Sequence, residues 1–241
     1  MVRKHQFDQH FLASPRLVAE LIGHTNIRKN DVVYDLGAGS GVITSVLARR
    51  CKRVIAVEVE PGALKTLRQN TSELENVEVV EADLETFRFD EPKYKVFANP
   101  PFSMLAAIVR NLLNSQEVPT SVYLITQRQF AYKVVMSDRH FTSALGVSVT
   151  PFFACKIRRP LRKTDFTPPP AVDTVLLEMR KREEPMLPFT EFADFASFVD
   201  TCFKNQKQYA VLLQKSGIAT ERRKPSELSI DNWLRLYWQN A

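Results

Sequence analysis

The sequence predicts an α/β protein, a Rossmann-like parallel sheet followed by a small all-helical domain. Three observations predict it. Short β-rich runs alternate with helical stretches over residues 32–126. A glycine-rich loop, Gly37-Ala38-Gly39-Ser40-Gly41, joins the first of those strands to the first helix. Beyond a charged stretch with two prolines, phenylalanines recur at helical spacing.

Residues 32–36 (VVYDL) read as a buried strand, residues 41–50 as a helix and residues 53–58 (RVIAVE) as a second strand. Pro61 opens a helix over 61–70, at the position where a missing N–H costs nothing. Residues 77–81 form the third strand, 94–98 the fourth, 102–114 a helix and 121–126 (SVYLIT) the fifth strand. Such alternation implies parallel strands joined by crossover helices on both faces. Residues 144–157 and 172–179 are apolar and β-branched or aromatic, and are expected to be two late strands. The loop between them would hold a basic run and Phe166-Thr167-Pro168-Pro169-Pro170. Residues 181–188 (KREEPMLP) are the expected linker, which sets a catalytic domain at 1–180 and a helical domain at 189–241. In the latter, Phe189, Phe192, Phe195, Phe198, Val199 and Phe203 are expected to form a core rather than a stacking surface, and 209–213 and 230–237 continue the helical pattern.

Composition narrows the class. With 44% apolar residues, the 241-residue chain has enough for one ordinary domain and a small appendage. No stretch approaches the roughly 18 apolar residues of a membrane helix, and Met1-Val2-Arg3-Lys4-His5 lacks a secretory apolar region. A cytoplasmic address is expected, with no membrane partner. Cys51, Cys155 and Cys202 are far apart and form no CxxC pair, so neither a disulfide framework nor a metal site is expected. The net charge of +6 and pI near 9.3 favour a polyanionic partner. Lys156, Arg158, Arg159, Arg162 and Lys163 lie close together with no acid among them. They read either as a solvated loop or as a patch that contacts phosphates.

The loop after the first strand is G-x-G-x-G and is preceded by Asp35. A dinucleotide pyrophosphate favours G-x-G-x-x-G on a helix N-terminus. An acid before the loop suits a cation better, and S-adenosylmethionine is cationic and lacks phosphate. Glu58 ends the second strand, where a carboxylate can accept both hydroxyls of a ribose. Asp83 ends the third, where it could accept from an adenine amino group. Three acids at the carboxyl ends of successive strands mark the edge of an α/β sheet where ligands bind, so Asp35, Gly37, Gly39, Glu58 and Asp83 are expected to hold the cofactor.

Asn99-Pro100-Pro101-Phe102 follows the fourth strand. Each proline fixes its own φ and restricts the residue before it, so the Asn99 side-chain oxygen and the Pro100 carbonyl are aimed in fixed directions. An exocyclic amine offers two N–H donors to two such acceptors. Gripping them frees a delocalised nitrogen lone pair and favours the positive charge that develops on it. Phe102 offers a face for an extruded base.

With these residues in view, the chain resembles the rRNA adenine N6-dimethyltransferases, the Erm/KsgA class, over nearly its whole length. Gln9-His10-Phe11-Leu12 is similar to the family's N-terminal Q-N-F-L segment, Asp35–Gly41 to its glycine loop, and Val57-Glu58-Val59-Glu60 to its ribose-binding strand end. Glu81-Ala82-Asp83-Leu84 resembles the adenine-contacting strand end, Asn99–Phe102 the N-[IL]-P-[YF] catalytic segment, and Phe166–Val172 the F-x-P-x-P-x-V segment. The resemblance implies a class I S-adenosylmethionine-dependent methyltransferase in which Gln9, His10, Leu12, Val59, Leu84 and Asn99 also line the cofactor and Phe166 flanks the target base. It further implies a monomer acting on ribosomal RNA, with the 23S branch that confers macrolide–lincosamide–streptogramin resistance closer than the 16S branch. Two segments depart from the pattern: His10 stands where the family usually has asparagine, and Asn99-Pro100-Pro101-Phe102 has a second proline where the family often has Ile or Leu, with Phe in place of Tyr. Asn-Pro-Pro-Phe also occurs in DNA adenine and protein glutamine methyltransferases. These remain the alternative reading, beside a nucleic-acid-binding relative without catalysis.

Overall fold

The computed structural model describes residues 10–12, 14–136, 142–218 and 223–240. In chain order the elements are β1 (Phe11–Leu12), α1 (Pro15–Gly23), β2 (Val32–Leu36), α2 (Val42–Ala48), β3 (Arg53–Glu58), α3 (Pro61–Thr71), β4 (Val77–Glu81), β5 (Lys95–Ala98), α4 (Leu105–Asn114), β6 (Ser121–Gln127), α5 (Arg128–Val134), α6 (Ala144–Val149), β7 (Phe153–Leu161), β8 (Phe166–Thr167), β9 (Thr174–Lys181), α7 (Phe192–Lys204), α8 (Gln206–Lys215) and α9 (Ile230–Trp238). A short 3-10 turn, Phe102–Met104, leads into α4.

Seven strands form one sheet in the order β4-β3-β2-β5-β6-β9-β7. The first five are parallel, and β9 runs antiparallel to β6 with Tyr123 opposite Glu178. The chain order reverses between β2 and β5, which opens a crevice at the carboxyl ends of the strands. β2, β3 and β6 are buried almost throughout, as expected for strands covered on both faces. Val18, Leu21 and Ile22 of α1 and Ile43 and Leu47 of α2 pack on one face of the sheet. Ser14 caps α1 by accepting from the Arg16 N–H at 3.2 Å, with Pro15 in the first turn. A two-stranded antiparallel ribbon, β1 with β8, aligns Leu12 with Phe166.

The chain divides into two compact units: residues 1–128 with 156–180, and residues 129–155 with 181–241. The helical unit therefore takes in residues 129–155 as well as the tail expected from sequence, and Lys181 ends β9 instead of starting a linker. Within it, Phe192, Phe195 and Val199 of α7 are buried, and Trp233 of α9 is wholly enclosed, its ring stacked with Phe203.

One expected strand is a helix. Residues 144–149 form α6, capped by Ser143, whose hydroxyl accepts from the Gly146 N–H at 3.2 Å; the strand begins at Phe153. Leu145–Val149 are all buried. A short, fully buried apolar run carries no periodicity that separates helix from strand. The basic run is displaced too: Lys156, Arg158 and Arg159 lie on β7 itself and not in a loop. Among the described residues no helix is long and apolar enough to cross a membrane, and no cluster of His, Cys, Asp or Glu could hold a metal.

Candidate active site

The site is built on four strand ends. After β2 the chain turns at Gly37 and Gly39, with φ of +71° and +57°, a region that side-chain-bearing residues rarely enter. The N–H groups of Gly37 and Ala38 donate to the Val57 carbonyl at 2.9 and 3.1 Å, tying the loop to β3. A Cβ on Gly39 would stand 3.2 Å from the Phe11 ring, so the bare backbone here also makes room for β1.

Glu58 is 7% exposed. Its Oε1 accepts from the Val59 and Glu60 N–H groups at 2.8 and 2.9 Å, and its Oε2 from the Gly39 N–H at 2.8 Å. Oε2 thus keeps one lone pair for a further donor. Asp83 lies after β4 and accepts from the Glu85 N–H at 2.9 Å through Oδ1. The turn that carries Asp83 and Leu84 is held by Asn111 of α4, whose amide donates to the carbonyls of Leu84 and Phe87 at 3.0 and 2.8 Å. Glu60 caps α3 by accepting from the Ala63 N–H at 2.6 Å.

Asn99 follows β5. Its side-chain nitrogen donates to the His10 carbonyl at 2.7 Å. The amide plane is thereby fixed and Oδ1, the acceptor, is directed away from that bond. The His10 ring lies 5.7 Å from the Phe102 ring, centroid to centroid, tilted by 37°. His10 Nδ1 is 2.9 Å from the Pro168 carbonyl. The segment before β1, the Asn99–Phe102 tetrapeptide and the segment after β8 therefore meet at one residue.

These groups surround a cleft of about 570 Å³, within the range of small-molecule sites. His10, Leu12, Gly37, Gly39, Glu58, Val59, Asp83, Leu84, Asn99, Pro100 and Phe102 all line it. Phe11, Ser40, Pro61 and Met104 line it without having been singled out; their signal was adjacency to the motifs. The lining includes four acids, Glu58, Glu60, Asp83 and Glu85, and neither lysine nor arginine among the described residues. That balance fits a cation and is ill-suited to a pyrophosphate, and the chemistry of the lining matches S-adenosylmethionine.

Two expected site residues stand elsewhere. Asp35 is fully buried and does not line the cleft. Its Oδ2 accepts from the Thr44 hydroxyl at 2.6 Å and its Oδ1 has no hydrogen-bond partner among the described residues. Burial chiefly, with the nearby Glu58 charge, pushes its carboxyl up to about 7, against the Thr44 bond that lowers it. Asp35 points back toward α2 and supports the loop from behind. Phe166, expected beside the base, is 2% exposed and belongs to the core with Leu12, Leu161 and Leu176. Alternation along β8 turns Phe166 inward and Thr167 outward. Gln9 lies outside the described residues.

The basic run divides as well. Glu178 of β9 is fully buried; it accepts from the Tyr123 hydroxyl at 3.0 Å and from Arg180 Nε at 2.9 Å. Lys156 Nζ and Arg158 Nη1 approach its Oε2 to 3.3 and 3.7 Å, and Arg158 also donates to the His24 carbonyl at 3.0 and 2.6 Å. Arg159 pairs with Glu20. Arg162 and Lys163 are exposed past the end of β7, with Lys163 Nζ on the Ala171 carbonyl at 2.7 Å. At about 3.3 Å per residue, Arg162 is roughly 20 Å along the chain from Lys156.

The family model for ribosomal RNA adenine dimethylase matches residues 2–232. An rRNA methyltransferase of Streptomyces thermotolerans is 32% identical over 203 residues, covering 83% of this chain and 67% of the relative. An rRNA adenine N-6-methyltransferase of Saccharopolyspora erythraea is 30% identical over 200 residues; the match covers 83% of this chain and about half, 52%, of that protein. Among solved structures, the crystal structure of the 23S rRNA methyltransferase ErmE superposes with a TM-score of 0.75 at 26% identity, covering 95% of this chain and 98% of that one.

Proposed function

The chain belongs to the ribosomal RNA adenine dimethylase family, and from that premise we propose that its cleft methylates the N6 amino group of an adenine in 23S ribosomal RNA. The observation that carries the reading is the Asn99 amide, fixed by the His10 carbonyl in an acid-lined cleft at the carboxyl ends of the strands. S-adenosylmethionine, when bound, supplies a methyl group already activated on a cationic sulfur.

The residues then have distinct tasks. Glu58 Oε2 accepts from a ribose hydroxyl, Asp83 from the adenine amino group of the cofactor, and the Gly37–Gly39 backbone admits close approach. Asn99 Oδ1 and the Pro100 carbonyl accept from the two N–H groups of the target amine, which raises the availability of the lone pair and stabilises the charge that develops there. Phe102 offers a face to the extruded base. Arg162 and Lys163 contact RNA phosphates. Positioning accounts for most of the acceleration, since a held nucleophile and methyl donor avoid the entropy of encounter. The choice of 23S RNA rests on the similarity to ErmE. It carries with it the expectation of macrolide–lincosamide–streptogramin resistance and of a monomer acting in the cytoplasm.

Labelled S-adenosylmethionine incubated with 23S RNA, 16S RNA, duplex DNA and protein tests the substrate. The expected outcome is label in one 23S adenine, mapped by primer extension and mass spectrometry. Asn99→Ala should lower kcat by about 100-fold or more while cofactor Kd stays within threefold. An unchanged kcat, or label only in DNA or protein, overturns the reading.

A further inference from the structure

We propose that Asn111 is a positioning residue for the cofactor: from α4 it fixes the turn that carries Asp83 and Leu84, and so sets the selectivity of the cleft for an adenine base on the cofactor. The proposal rests on the S-adenosylmethionine reading of the cleft and goes one step further, to a side chain that does not line it.

The Asn111 amide meets two carbonyls, Leu84 at 3.0 Å and Phe87 at 2.8 Å. A carbonyl oxygen only accepts, so the amide nitrogen faces both and spends its two hydrogens there. The same turn is wound from inside. Asp83 Oδ1 accepts from the Glu85 N–H at 2.9 Å, and the Asp83 carbonyl accepts from the Thr86 and Phe87 N–H groups at 3.2 and 2.9 Å. Those internal bonds give the turn its shape. The bonds from Asn111 give it its place, because they come from another element.

That element is firmly seated. Leu105, Ile108, Val109, Leu112 and Leu113 of α4 are buried, and the helix follows directly on the 3-10 turn at Phe102–Met104. Asn111 stands roughly 9 Å along the axis from Leu105. One helix therefore has the Asn99–Phe102 tetrapeptide at its start and the Asp83–Leu84 turn bonded to its side. The two also approach each other across the glycine loop: a Cβ on Gly37 would stand 3.7 Å from both Leu84 Cδ1 and Pro100 Cα. A turn held in place by Asn111 is thus held in register with the tetrapeptide.

Selectivity follows from that placement. Adenine presents an amino group, a donor, where hypoxanthine presents a carbonyl oxygen. A carboxylate fixed opposite that position accepts from the first and repels the second. If the turn can shift, the bond to adenine weakens and the repulsion of hypoxanthine is relieved, so discrimination falls from both sides. Asp83 is exposed, and water competes for its oxygens. The wild-type contrast is therefore about 100-fold, below the range for a fully enclosed hydrogen-bonding site. The buried face of α4 stays seated when Asn111 is replaced, so the turn loosens while the tetrapeptide keeps its position.

Calorimetric titration with S-adenosylhomocysteine and S-inosylhomocysteine tests this without any RNA. Asn111→Ala should weaken the adenosyl compound by about tenfold and narrow the ratio of the two dissociation constants to about tenfold or less. Asn111→Asp keeps the shape of the side chain without its donors and should narrow the ratio as far, so the test stands if the alanine variant does not fold. In turnover, cofactor KM should rise by about tenfold while kcat at saturating cofactor stays within about threefold. In an Asp83→Ala background, adding Asn111→Ala should change the ratio by less than about twofold, because the two residues act as one unit. A wild-type ratio that survives both Asn111 substitutions, or a tenfold loss of kcat at saturating cofactor, overturns the proposal alone. Wild-type protein that binds neither compound overturns the cofactor reading itself, and the proposal with it.

Discussion

Replacing Asp35 by asparagine separates a ligand contact from a buried support. The wild-type carboxyl titrates near 7, from an ordinary value of 3.8, because burial penalises the charge more than the Thr44 bond relieves it. Between those two values the unfolded chain has lost its proton and the folded chain retains it. Stability must therefore fall as pH rises from about 4 to about 7, and then level off. At about 1.36 kcal/mol per unit, a rise of roughly three units amounts to about 4 kcal/mol at pH 8. Asparagine keeps an oxygen to accept from Thr44 and never ionises. Asp35→Asn should thus be close to wild type near pH 4 and more stable by up to about 4 kcal/mol at pH 8, read from urea unfolding midpoints at a series of pH values. Cofactor Kd at neutral pH should stay within about threefold, because Asp35 does not line the cleft. A stability difference independent of pH would refute the burial argument. A hundredfold loss of cofactor affinity would return Asp35 to the role that sequence suggests.

Phe166→Leu tests the second relocated residue: it should cost about 1 kcal/mol of stability and leave kcat within twofold, whereas loss of a base-stacking face would cost tenfold or more in turnover or RNA affinity. The divided basic run makes a paired prediction. Arg162→Ala with Lys163→Ala should weaken RNA binding and flatten the plot of log K against log salt by about 1.5 units. Lys156→Ala with Arg158→Ala should leave the slope nearly unchanged and lower the melting temperature, because Glu178 loses two of its cations while remaining buried. Equal slopes for the two double variants would restore the run as one RNA-contacting patch.

The parts legible in sequence are those fixed by local chemistry. Gly37 and Gly39 adopt positive φ, and Pro100 and Pro101 stiffen the exit from β5 whatever surrounds them, so the loop and the tetrapeptide announce themselves in the chain. Strand ends bounded by Asp35, Glu58 and Asp83 were equally plain, because periodicity and turn signals act over a few residues. Residues 144–149 carry no such signal, because the run is apolar and buried, and the Ser143 cap decides for helix.

Sequence by itself determined the fold class and the places of the glycine loop and the Asn99–Phe102 tetrapeptide at the ends of their strands. Only the tertiary structure decided which way each side chain faces. Asp35 lies behind its loop because Thr44 of α2 covers that side, and Phe166 is core because β8 pairs with β1 in a register that opposes it to Leu12. Glu178 draws Lys156 and Arg158 toward itself because β7, β9 and β6 bring residues far apart in the chain side by side. The physical reason is common to all three: burial and charge pairing are set by neighbours across the sheet, and no local pattern encodes which neighbours those will be.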